Sequence, residues 1–123
     1  AGVVLPLRAD ACPVAVTAAV LGFLSAERAR QCGPCDVGLP ELAGTAATLA
    51  RPGRGAPSAA DHLVAVARAV DGRGACSHPD AAARLALSLL EAFPEEVEAH
   101  RGGECAVRSR PAPPGSRRGR RAR

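Results

Sequence analysis

Cys32-Gly33-Pro34-Cys35 sets two thiols on one tight turn, and a third, Cys76, stands 41 positions beyond Cys35 in a Gly-containing stretch between two helical patterns. That is soft-metal chemistry. Thiolates are the usual ligands of iron-sulfur clusters, and glycines beside them, here Gly33, Gly38 and Gly74, let backbone N–H groups approach the sulfides and tune the potential. Cys32, Cys35 and Cys76 are therefore the candidate metal and cofactor ligands.

Two other chemistries share these residues. Three cysteines and one histidine form an ordinary zinc set, and His78 lies two residues past Cys76. Cys-Gly-Pro-Cys is also a thioredoxin-like dithiol tetrapeptide, whose first thiol is activated at a helix N-terminus after a strand. Against that, an Ala-rich helical stretch precedes the motif, no β-α-β pattern is present and the chain has no Trp. Five cysteines, an odd number, with one C-x-x-C pair, favour a metal or redox site in a reducing, cytoplasmic setting over a disulfide framework. Cys12 reads as a small buried hydrophobe. It precedes Cys32 by about 20 residues, and a helix between them at 1.5 Å per residue spans roughly 30 Å. Cys105 reads as a tail thiol, His62 and His100 as solvated helix residues, and His78 by default as a polar residue at a helix start.

The elements that must position these thiols are helical. Asp10 and Pro13 introduce a helix in which Val16, Val20 and Phe23 or Leu24 repeat at helical spacing up to about Gln31. A second helix is predicted from Pro40 to Arg51 on Leu42, Ala46 and Leu49. A third begins at the cap Ser58 and carries Leu63, Val66, Ala67 and Val70 before Gly72 and Gly74. Pro79 and Asp80 open a fourth, whose apolar face is Ala82, Leu85, Ala86, Leu89, Leu90 and Phe93, and Glu95 to His100 add a further turn or two. Gly2 to Leu7 reads as a short buried strand. The expected fold is all-α, a four-helix bundle with a short extended N-terminal segment and a disordered Arg-rich C-terminal tail.

Composition agrees. Of 123 residues only two are aromatic, so the core must be Leu, Val and Ala, whose small volumes suit closely packed helices. The net charge of +4 comes from the tail, where seven Arg from Arg108 to Arg123 face no acidic residue; residues 1 to 107 carry nine Arg against twelve Asp and Glu. Without aromatic residues for base stacking, that tail predicts a solvated extension rather than a nucleic-acid contact. Ala11 to Ala26, the longest apolar stretch, is shorter than the about 20 residues that span a bilayer, so no transmembrane segment is expected. Asp10 and Pro13 fit a signal peptide poorly.

Glu27-Arg28-Ala29-Arg30-Gln31-Cys32-Gly33-Pro34-Cys35, followed by Gly38, resembles the E-S-C-G-x-C-T-P-C-R-x-G cluster motif of the flavin subunit (the 51 kDa or F subunit) of NADH:quinone oxidoreductase. Cys76, with Asp80-Ala81-Ala82-Ala83 soon after, resembles that family's isolated fourth cysteine, and the similarity extends over about residues 1 to 101. The resemblance implies a helical domain holding a 4Fe-4S cluster that relays electrons singly from a reduced flavin to the next cluster. FMN and NADH would sit on an upstream domain or a partner chain, and a downstream iron-sulfur subunit would accept the electrons. No Gly-rich nucleotide motif occurs here, so the chain, taken as the carboxy-terminal piece of a longer protein, should not oxidise NADH alone. The implied division is a lead-in from a preceding domain over 1–12, the iron-sulfur-binding domain over 13–101 and a basic tail over 102–123. Attachment to a membrane would be peripheral, through a larger complex. The family's first cysteine falls at Ala29, which has no donor atom. Candidates for the fourth ligand are Cys105, folding back from the end of the bundle, His78, Asp36 or a water on one exposed iron; a 3Fe-4S cluster or a degenerate site is the other outcome.

Overall fold

A proline that cannot donate a backbone hydrogen bond is well placed in a helix's first turn, and Pro13 opens α1 (Pro13–Ala26) there. Cys12 caps it, its sulfur accepting the Ala15 N–H at 3.5 Å. The computed structural model describes residues 4–51, 53 and 55–109. Within them α2 (Leu39–Ala50), α3 (Ala56–Val70) and α4 (Ser77–Ala92) follow, then the shorter α5 (Pro94–Arg101) and α6 (Ala106–Ser109). A single π-helical turn, Pro34–Gly38, leads directly into α2. There is no strand among the described residues, and no helix is long and apolar enough to cross a membrane.

The four long helices run up and down, α1 against α2, α2 against α3, α3 against α4 and α4 back against α1. The all-α expectation is met. Leu21, Leu39, Leu42, Leu49 and Leu63 are at most 1% exposed, and each such burial contributes about 1.5–3 kcal/mol. Ala46, Ala60, Ala67, Ala82, Ala83 and Ala86 fill the seams between them, small enough to let the backbones approach.

Several local expectations are corrected. Val4 is 93% exposed and residues 4–8 form no strand, because nothing in the bundle pairs with them. α1 ends at Ala26, short of Gln31: the Arg28 guanidinium donates to the Ser25 carbonyl at 2.7 Å, which closes the last turn. Its buried stripe is Val14, Leu21 and Ser25, so Phe23 faces solvent at 63% exposure. α3 starts at Ala56, after Gly55 at φ +96; the Ser58 hydroxyl donates to the Gly55 carbonyl instead of capping. α4 starts at Ser77, and Phe93 lies beyond its end, 39% exposed. Cys105 is buried and α6 follows it, within the segment assigned to the tail. The Arg-rich stretch from residue 110 lies outside the described residues.

Candidate metal centre

Two inter-helix loops meet at the pole where α1 ends and α4 begins. On one, the chain leaves α1 and reverses at Arg30, whose φ of +57 is left-handed. That conformation crowds the Cβ of an L-residue, and the motif that this segment resembles carries glycine at this place. The reversal aims the Arg30 N–H at the Cys35 sulfur, 3.2 Å away. Cys35 sits in the π turn, where Asp36 N–H donates to the Cys32 carbonyl at 2.8 Å and Leu39 N–H to the Pro34 carbonyl. Isolated π turns are often found at functional sites, because the widened backbone re-aims its side chains.

The second loop joins α3 to α4. Gly72, at φ +75, turns it, and the Asp80 carboxylate accepts the Gly72 N–H at 2.9 Å. The Ala75 N–H then reaches the Cys32 sulfur at 3.5 Å, a contact across 43 residues of sequence, and Cys76 follows at the cap of α4. Cys32, Cys35 and the Cys76 loop therefore share one pole. Cys35 is buried, Cys32 half-buried and Cys76 exposed.

The glycines do different work from one another. A Cβ on Gly38 would fall 2.5 Å from a methyl of Val70, so this residue lets the π turn press against the end of α3. A Cβ on Gly74 would lie 2.9 Å from the Cys76 carbonyl oxygen and 3.0 Å from the Pro79 ring, so Gly74 shapes the approach to Cys76. Around Gly33 there is open space. The N–H groups that meet sulfur here belong to Arg30 and Ala75.

His78 Nε2 lies 2.9 Å from the Leu24 carbonyl, which can only accept, so that nitrogen donates and ties α4 to the end of α1. Cys105 and Cys12 stand at the other pole, with the length of α1 between them and Cys32, so neither shares the Cys32 turn. His100 is buried at 1% exposure beside them, contrary to its expected solvation, because its ring bridges the end of α2 and the start of α1. Burial, together with the neighbouring Cys105, pushes the Cys12 thiol above its ordinary value. His62 is exposed, 2.7 Å from Glu41. Sequence reasoning took His100 for a solvated residue and passed over Glu96; their i,i+4 spacing on α5 is a usable signal, but nothing local links them to Cys12.

Fold and pole together define a helical domain that brings cysteine-bearing loops together at one end. Over residues 15–100 the chain matches the family described as the NADH-ubiquinone oxidoreductase-F iron-sulfur binding region, and it belongs to that family. No curated protein matches it.

Proposed function

We propose that Cys32, Cys35 and Cys76 hold an iron-sulfur cluster and that the chain relays electrons as part of an NADH:quinone oxidoreductase-type flavin subunit. The observation that carries this is the Ala75 N–H on the Cys32 sulfur, which brings the loop of Cys76 onto the C-x-x-C turn. When bound, such a cluster accepts and passes on one electron at a time. The chain's own residues do the rest. N–H groups from Arg30 and Ala75 withdraw charge from the ligand sulfurs, which raises the potential, and the buried side at Cys35 limits water. Exposure at Cys76 gives a short path to an external redox partner. FMN and NADH belong to an upstream domain or partner chain, and the acceptor is a downstream iron-sulfur centre.

Ala29 stands where the family motif supplies a first cysteine, so the chain offers three thiolates at this pole. Either a 3Fe-4S cluster or a 4Fe-4S cluster with an outside ligand on one iron satisfies that set. Anaerobic reconstitution with iron and sulfide analysis, visible absorption and EPR tests the assignment. Cys76→Ser should lose most of the iron and the visible absorption; unchanged iron content in that variant removes Cys76 from the ligand set. Ala29→Cys should move the iron content to about four per chain if a three-iron cluster is present beforehand.

A further inference from the structure

At the pole opposite Cys32, four side chains converge: Cys12, Glu96, His100 and Cys105, with one ligand atom from each within 4.8 Å of all the others. Glu96, His100 and Cys105 are buried, and Cys12 is half-buried. We propose that this group binds a single zinc ion, held by two thiolates, one imidazole and one carboxylate, as a structural site separate from the cluster-bearing pole.

The donor set suits a borderline-soft divalent ion, since sulfur, imidazole nitrogen and carboxylate oxygen are the ordinary zinc ligands. The spacing suits one ion rather than a polynuclear core. Cys12 Sγ and His100 Nε2 are 3.3 Å apart, and a tetrahedral ion with bonds of about 2.3 Å to sulfur and about 2.0 Å to nitrogen holds such atoms about 3.5 Å apart.

An independent observation points the imidazole at the same centre. His100 Nδ1 lies 2.9 Å from the Leu49 carbonyl. A carbonyl only accepts, so Nδ1 carries the proton and the lone pair of Nε2 faces Cys12. Metal-ligating histidines are oriented in this way, with the far ring N–H donated to a carbonyl or carboxylate that fixes the tautomer. On the opposite side the Cys12 sulfur accepts the Ala15 N–H at the N-terminus of the 14-residue α1, which fixes where the sulfur points.

The site would fasten together parts of the chain that are far apart in sequence. Cys12 precedes α1, Leu49 lies in the last turn of α2, Glu96 and His100 lie on α5, and Cys105 precedes α6. Both cysteines fall outside residues 15–100, the span matched to the family, so the family match does not account for the pair. Zinc has no redox chemistry and would leave electron flow at the other pole undisturbed. On binding, the two thiol protons leave to solvent.

Cobalt(II), a spectroscopic substitute for zinc, tests this on the full chain under anaerobic, reducing conditions, in a Cys32→Ser/Cys35→Ser/Cys76→Ser background that silences the other pole. One equivalent should give intense tetrahedral d–d bands and a thiolate charge-transfer band, both bleached by zinc. Adding Cys12→Ser or Cys105→Ser should weaken binding by about a hundredfold or more while the helical circular dichroism stays the same. A second measurement needs no triple variant: the iron-loaded wild-type chain, supplied with zinc and dialysed, should retain one zinc, and Cys105→Ser should lose it while keeping its iron. Absence of the cobalt bands, binding indifferent to both serine variants, or a wild-type chain that keeps no zinc overturns the proposal.

Discussion

At Arg30 a bulky L-residue occupies a left-handed backbone conformation, with φ +57, solely to turn the chain so that its N–H meets the Cys35 sulfur. The side chain is exposed and replaceable, whereas the backbone position is not. Glycine pays no Cβ penalty there, so Arg30→Gly should stabilise the fold by about 0.5–1 kcal/mol after its extra unfolded-state entropy is counted. Thermal melts decide it: a lower Tm would mean that the guanidinium matters more than the turn. Cys32 and Cys35 were readable as candidate ligands from their spacing alone. The N–H donors were not, because Ala75 lies 43 residues from Cys32 and only folding brings it near.

Among the elements, the π turn Pro34–Gly38 shapes the pole where Cys32 and Cys35 stand. It presses on α3 so closely that a Cβ at Gly38 would sit 2.5 Å from Val70, itself 3% exposed and poorly able to retreat. Gly38→Ala should therefore destabilise the chain by about 1–3 kcal/mol and reduce iron retention after reconstitution. If overpacking is the cause, adding Val70→Ala to Gly38→Ala should recover part of both losses; a double variant worse than the sum of the singles contradicts it. Helix faces for α2 and α3 were legible because their apolar residues repeat on one stripe. α1 was less legible, because it is apolar nearly all round and periodicity cannot say which side turns inward.

Over the whole molecule, the bundle has two chemically distinct ends, and the α5 extension is fixed to it partly by charge. Arg101 donates to Asp61 on α3 at 2.9 Å and holds that carboxyl below the usual carboxylate range. A lowered folded-state pKa contributes stability above the ordinary carboxylate value and loses it as pH falls through the lowered one. Asp61 is exposed and Arg101 half-buried, so the effect should be slight. Asp61→Asn should lower Tm a little at neutral pH, and the difference should shrink as pH falls through the lowered carboxyl pKa. Melts that still differ at the acid end would assign the difference to packing.

The sequence by itself determined the helical class, the cysteine turn at 32–35 and the likeness to a cluster-binding family, because each rests on local spacing and composition. Only the tertiary structure decided which residues meet at each pole. Cys12, Glu96, His100 and Cys105 assemble because α1 and α5 begin and end at one level of the bundle. Contacts of that kind depend on helix lengths and on which stripe turns inward, and no short-range pattern records either.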